Sequence, residues 1–202
     1  MKDNLDMKHG LLRVLFMGNH NVGIQVIKAI MKSAKLIGVV CHPYDIEDGK
    51  VYESVHSFAL NENIPAIRGT AKSKVVFDFI EKQSPDLIWV TDYRYILPEN
   101  IINLPKFGCI NLHPSLLPKY RGPTSAAYVL INNEKQSGST VHYIDKEVDK
   151  GDIIAQSKIK ISKFDTYKSL KRKVYDTEPD LIIKAIHNIH DGIKAIKQDE
   201  NL

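Results

Sequence analysis

Only two cysteines, Cys41 and Cys109, occur in 202 residues, with one tryptophan and no internal repeat. That count excludes a disulfide-built secreted scaffold, which is cysteine-dense. Both cysteines stand in apolar, strand-like runs, so they read as buried free thiols, and a cytoplasmic location follows. No apolar run approaches the roughly 18 residues that a membrane span needs. Met1 to Gly10 carries no apolar signal core. Residues 1–10 read as a flexible tail, with Met7 as an alternative start. Excess charge of one sign is also scarce. A dispersed net charge of +4 does not by itself argue for nucleic acid, though it suits a small anionic substrate. What is present is ordinary for a globular chain, 43% hydrophobic and 26% charged. Residues 11–202 are long enough for a single domain that buries about 70% of its unfolded surface.

Strand and helix signals alternate. They predict an α/β fold: a Rossmann-like, mostly parallel twisted sheet flanked by helices, with a late antiparallel strand pair and a long C-terminal helix. Strands are expected at residues 13–17, 36–41, 64–67, 86–91 and 108–113, the fourth buried on both faces. Helices are expected at 22–34, 52–63, 73–83 (with Ser73 as N-cap) and 123–133, with a short helical turn from Pro98. Strands 139–144 and 153–161 flank an acidic loop. Asp165 or Thr166 caps the final helix, and Glu178-Pro179 marks a break or kink in it. In such a sheet a ligand sits beyond the carboxyl ends of the parallel strands. His113 and the loop after Thr91 both fall there.

The most informative run is Asn111-Leu112-His113-Pro114-Ser115-Leu116-Leu117-Pro118-Lys119-Tyr120-Arg121-Gly122. Asn111 and His113 are two apart, so an extended strand aims both side chains the same way. Ser115 and Pro118 then stop the strand and turn the chain. Downstream, Asp145-Lys146-Glu147-Val148-Asp149-Lys150-Gly151-Asp152 is a dense acidic loop. An amide, an imidazole and a carboxylate are the parts needed to move an acyl group onto an amine. Two donors aimed at developing charge are worth roughly 3 kcal/mol each. A carboxylate beside the imidazole can orient it and take the amine's proton, directly or through water.

Blander patterns compete. The acidic loop also reads as a solvated turn. It fails the calcium-loop template, which needs Gly at the sixth position and Glu at the twelfth. Gly18-Asn19-His20-Asn21-Val22-Gly23 is a tight strand-to-helix turn whose helix start favours an anion. It is not a phosphate loop, because Ile24-Gln25 replaces the Lys-Ser/Thr pair, and it lacks the first glycine of a dinucleotide fingerprint. His187 and His190 are one helical turn apart without a third ligand, so no metal site is expected. Lys168, Lys171 and Arg172 read as a solvated helix face.

The 111–122 run is similar to the signature of the 10-formyltetrahydrofolate-dependent formyltransferases, and the similarity extends from about Arg13 to about Gly192. The resemblance implies an N-formyltransferase that moves a formyl group from 10-formyltetrahydrofolate to a primary amine without a metal. In that family an Asn, a His two residues later and a distant Asp form the catalytic set, and the matching positions are Asn111, His113 and Asp149. The 90–98 stretch resembles a folate-pocket segment. It places Val90, Thr91, Asp92 and Tyr93 at the cofactor, together with Ile144 and Asp145 at the start of the acidic loop. Ser115 lies in the matching Ser-Leu-Leu-Pro loop, on the substrate side. Lys119, Tyr120 and Arg121 either stay solvated or meet the acceptor, since Arg and Lys suit phosphate and carboxylate groups.

The family's branches differ in acceptor. Members that act on tRNA usually carry a further C-terminal domain, whereas this chain stops at Leu202, soon after the final helix. Purine-pathway members usually have a Ser-Asn-rich loop after the first strand and commonly lack Tyr120-Arg121-Gly122. Tyr93-Arg94-Tyr95 is similar to the sugar-modifying branch. The expected acceptor is therefore the amine of a nucleotide-linked amino sugar, with methionyl-tRNA and glycinamide ribonucleotide as alternatives. No membrane or nucleic-acid partner is expected, and a homodimer is compatible. The reading from another class is a folate-binding or regulatory module without turnover, against which Asn111, His113 and Asp149 argue. The incomplete glycine pattern disfavours a nicotinamide-dependent oxidoreductase.

Overall fold

The computed structural model describes residues 10–123 and 125–199. Residues 1–9 of the expected tail, Met7 and Leu202 lie outside them. Seven strands form one sheet: β1 (Arg13–Gly18), β2 (Lys35–Cys41), β3 (Ala66–Arg68), β4 (Leu87–Thr91), β5 (Cys109–His113), β6 (Gln136–Tyr143) and β7 (Ile153–Lys160). Their spatial order is β3-β2-β1-β4-β5-β6-β7. The first five are parallel, and β6 runs antiparallel to both β5 and β7. The helices are α1 (His20–Ser33), α2 (Val55–Asn61), α3 (Lys74–Gln83), α4 (Glu99–Ile102), α5 (Ser125–Ile131) and α6 (Tyr167–His190).

Strand alternation splits the core into two layers. Val14, Phe16, Leu87 and Trp89 pack with α1, α2 and α6. Leu15, Met17, Ile88 and Val90 pack with α3 and α4. The central β4 is therefore apolar and buried on both faces, as its composition predicts. Cys41 lies in the first layer and Cys109 in the second, both as free thiols. Burial pushes each thiol up to about 12.

Several boundaries differ from expectation. The second helix starts at Val55 rather than Tyr52, because Ser54 accepts the Ser57 N–H as its cap and Tyr52 pairs with Asp48. The fifth helix starts at Ser125, two residues after Pro123. Ser73 holds the N-cap position of α3 without a side-chain bond, while Thr166 forms a reciprocal capping box with Ser169 on α6. Strand β6 begins at Gln136 and ends at Tyr143, so Ile144 opens the acidic loop.

The largest correction concerns Pro179. Helix α6 runs through it without a break for 24 residues. Proline deprives the carbonyl four residues back of its partner. Here that carbonyl belongs to Tyr175, and Gln25 of α1 donates its side-chain amide to it at 2.7 Å. A tertiary bond replaces the missing helical one, which local sequence rules do not show. Among the described residues no helix is long and apolar enough to cross a membrane.

Candidate active site

Strand β5 ends at the carboxyl edge of the sheet and carries Asn111 and His113 there. Its neighbours fix their height: Asn111 pairs with Val90 of β4 and His142 of β6, and His113 pairs with Thr140. The Asn111 Nδ2 donates to His142 Nε2 at 3.3 Å. His142 Nδ1 lies 2.8 Å from the Tyr143 carbonyl and so carries the hydrogen, which leaves Nε2 as an acceptor. His113 Nε2 likewise donates to the Tyr120 carbonyl at 2.8 Å. Its Nδ1 faces Asp149 Oδ2 at 3.5 Å, while Asp149 Oδ1 faces His142 Nε2 at 3.5 Å. One carboxylate thus sits between two buried imidazoles whose centroids are 6.3 Å apart. His142 had no signature of its own in the sequence. Its membership rests on strand pairing across 31 residues.

Burial alone would raise the Asp149 carboxyl. The two facing imidazoles, His142 ahead of His113, and the Gly122 N–H outweigh it and hold the group at about 2. The Gly122 N–H donates to Oδ2 at 2.8 Å. Burial pushes His113 below the usual imidazole value, against the pull of Asp149 and the Tyr120 carbonyl. Asp149 also adopts a left-handed φ of 55°. Gly151 lets the acidic loop fold back on β6, since a Cβ there would strike the Tyr143 carbonyl oxygen.

The loop after β5 is stapled from both antiparallel strands. Thr140 Oγ1 donates to the Ser115 carbonyl at 2.7 Å and accepts from the Leu117 N–H and from Gln156 Nε2. Two cavities flank β5. One of about 230 Å³ lies on the Asn111 side, between Val90, Tyr93–Leu97 and the 144–149 loop, with His142 and Asp149 on its wall. The other, about 300 Å³, lies on the Leu112 and Pro114 side, between Val22, Thr91, Asp92 and the α6 residues Tyr167, Lys171, Tyr175 and Glu178.

The family model for formyl transferase matches residues 12–186. The chain belongs to the formyl transferase family. Methionyl-tRNA formyltransferase of Fusobacterium nucleatum is 35% identical over 196 residues, 95% of this chain and 63% of its own length. The chain therefore spans less than two thirds of that relative. Glycinamide ribonucleotide transformylase 1 from Symbiobacterium toebii has the same fold, with a TM-score of 0.79 at 20% identity over 98% of this chain and 99% of that one. The N-formyltransferase from Helicobacter canadensis, solved with folinic acid and dTDP-3-aminofucose, gives 0.75 at 23% identity over 94% of this chain and 68% of that one.

Within this formyl transferase fold the expected residues divide. Asn111, His113 and Asp149 converge, and Val90, Tyr93, Ile144 and Asp145 line the Asn111-side cavity. Thr91 and Asp92 do not. They face the second cavity, and Thr91 is held by the Trp89 indole N–H. Ser115 is fully buried and donates to the Lys119 carbonyl at 2.8 Å, so it braces the loop and leaves no hydroxyl for a substrate. Lys119 lies 3.7 Å from Glu134, and the Tyr120 hydroxyl donates to the same carboxylate. Their side chains line a separate hollow under α5, while the Tyr120 carbonyl faces His113. The Arg121 guanidinium donates to Gln198. Lys171, expected on a solvated face, instead lines the second cavity. His187 and His190 are exposed, and among the described residues no metal-binding cluster occurs.

Glu178, next to Pro179, carries no signature of its own in the sequence and lines the second cavity. It is 1% exposed, accepts from Ser139 Oγ at 2.9 Å, and its Oε2 has no partner. Burial raises it to about 7, against the Ser139 bond. A carboxyl raised in the folded state takes up protons on folding, so stability falls as pH rises from its usual range through about 7. Glu178→Gln removes that loss. Its Tm is expected to match the wild type at pH 5 and to exceed it by about 5 °C at pH 8. Equal Tm differences at both pH values, by differential scanning fluorimetry, would contradict this.

Proposed function

We propose that this chain transfers a formyl group from 10-formyltetrahydrofolate to the primary amine of a nucleotide-linked amino sugar. The observation that carries the reaction is the convergence of Asn111, His113 and Asp149 at the end of β5, with Asn111 bonded to His142 and the Asp149 carboxylate 3.5 Å from both imidazoles. The Asn111-side cavity suits the donor's flat ring: Val90, Leu97 and Ile144 give apolar walls, and the 144–149 loop offers backbone groups at the rim. When bound there, the folate supplies an activated formyl carbon.

The second amide hydrogen of Asn111 has no partner among the described residues, and it donates to the formyl oxygen as charge develops there. His113 supplies the second donor when its Nε2–H turns from the Tyr120 carbonyl to the formyl oxygen. A new carbon–nitrogen bond forms to the acceptor, the bond to the folate nitrogen breaks, and one proton must leave the amine while one reaches that folate nitrogen. A carboxylate held at about 2 passes the amine's proton on, through water or His113, rather than keeping it.

The acceptor reading draws on the second cavity. Its volume of about 300 Å³ suits a small molecule, and the Lys171 ammonium and Glu178 carboxyl suit a phosphate and a hydroxyl group. The Helicobacter canadensis neighbour, solved with dTDP-3-aminofucose, supports it by analogy of fold. The Fusobacterium relative favours methionyl-tRNA as a second reading. The test is tetrahydrofolate release from 10-formyltetrahydrofolate with nucleotide-linked 3-amino and 4-amino sugars, initiator methionyl-tRNA and glycinamide ribonucleotide. Acceleration by an amino sugar is expected. Acceleration only by the tRNA or the ribonucleotide overturns the acceptor and keeps the chemistry. Folate binding without release for any amine overturns the enzyme.

A further inference from the structure

Helix α6 ends in a Schellman turn. The Gly192 N–H reaches the Ile189 carbonyl, the Ile193 N–H reaches the Asn188 carbonyl at 2.8 Å, and Gly192 takes a φ of 67°. That turn sends the chain back along the sheet. Ile196 exchanges both backbone hydrogen bonds with Ile153 at the start of β7, at 2.7 and 2.8 Å. The segment is otherwise largely exposed, and Ile196 itself is 70% exposed. Two residues on, the side chain of Gln198 turns inward and is half-buried.

There it makes four hydrogen bonds at once. Its Nε2 donates to the carbonyls of Asp149 and Gly151, each at 2.8 Å. Its Oε1 accepts from Arg121 Nε at 3.1 Å and from the second guanidinium nitrogen at 2.8 Å. The two loops it joins are the acidic loop and the loop after β5. Both contain left-handed residues, Asp149 in one and Tyr120 and Gly122 in the other. A non-glycine residue in that region costs of the order of 1 kcal/mol and persists only where its surroundings hold it.

We propose that Gln198 is a positioning residue for formyl transfer: it clamps the Asp149 backbone to the Arg121 loop and so sets the carboxylate against His113. The proposal rests on the formyl-transfer reading for its effect on turnover, but not for its effect on geometry. Two contacts cross between the loops: Gly122 donates to Asp149 Oδ2, and His113 Nδ1 faces the same oxygen at 3.5 Å. Sliding the two loops apart loosens both. Sequence reading passes over Gln198 because it lies 49 residues beyond Asp149 and 77 beyond Arg121.

Two variants separate the halves of the clamp. Gln198→Met keeps the length and removes every hydrogen bond. Gln198→Glu keeps an acceptor for Arg121 and removes the donor to the two carbonyls. The first readout is the titration midpoint of His113, followed by NMR of the full chain. The groups facing that ring are Asp149, His142 and the Tyr120 carbonyl. Burial holds the midpoint down and Asp149 pulls it up, so moving Asp149 away while the ring stays buried lowers the midpoint in Gln198→Met; Gln198→Glu adds a carboxylate of its own and is read by turnover. The second readout is turnover with the amino-sugar panel. The expected result is a fall in kcat of about tenfold or more with the KM for 10-formyltetrahydrofolate unchanged. An unchanged His113 midpoint in Gln198→Met overturns the clamp, even if Tm drops, because a merely structural role lowers Tm alone. A fall in kcat in Gln198→Met but not in Gln198→Glu also overturns it, since the carbonyl contacts would then be dispensable. A chain that turns over no amine defeats the function reading, while the midpoint still decides the clamp.

Discussion

His113→Asn is expected to lower kcat by about three orders of magnitude, with the Kd for folinic acid unchanged. The imidazole spans two partners, the Tyr120 carbonyl through Nε2 and Asp149 through Nδ1. Asparagine is shorter and can keep only one of them. It stays polar, so the buried Tyr120 carbonyl need not be orphaned and the fold survives. The proposed donor pocket on the Asn111 side is not lined by this residue, so binding is expected to persist as turnover falls. Initial rates with the accelerating acceptor, paired with calorimetric titration of folinic acid, check both halves. A variant within tenfold of the wild type contradicts the assignment of His113.

Asp149→Asn is expected to fall nearly as far, by about a thousandfold. Asparagine is the right replacement because it tolerates the left-handed φ of 55° that this position adopts. It also retains an oxygen for the Gly122 N–H. What it removes is the negative charge between His113 and His142. The wild-type carboxyl is held at about 2, so it is ionised at pH 5 and above. The acid limb of its rate profile therefore belongs to another group, and lowering the pH to about 5 does not titrate Asp149. Its depressed value adds stability that is full above the ordinary carboxyl range. Of the order of 2 kcal/mol is lost as pH falls through about 2, a dependence the variant lacks. Removing the charge also lets the His113 midpoint drop further. Urea denaturation across pH and kcat at neutral pH test the two effects. A thousandfold loss accompanied by a raised His113 midpoint would show that the sign of the coupling is wrong.

How far the sequence could be read depended on whether a residue's partner was local. The Asn111 and His113 pair needs only strand alternation and a turn, and both are written within a few residues. The two-layer sheet follows from apolar runs in β1, β2 and β4. Ser115 has the composition of a substrate contact, but its hydroxyl is spent on the carbonyl of Lys119. Nothing within the run shows whether a turn closes on its own serine. Thr91 and Asp92 follow Val90 directly, yet alternation turns Thr91 to the opposite face and Asp92, whose left-handed φ of 52° breaks the alternation, lines the same cavity. Pro179 reads as a helix breaker until Gln25, 154 residues earlier in the chain, is found bonded to the Tyr175 carbonyl. His142 and Gln198 join the site through β6 pairing and a strand-like return beside β7. Both are tertiary facts with no spacing rule behind them.

The two thiols carry a practical consequence. Cys41 and Cys109 are 0% and 1% exposed, and neither ionises near neutral pH in the folded chain. Thiolate is the reactive form, so a maleimide dye finds nothing to label until the sheet opens. Because one thiol lies under α1 and the other against α4, single-cysteine versions of the chain turn dye uptake into a clock for each side of the sheet. The same silence means that a cysteine introduced at an exposed position can be tagged without first removing the native pair.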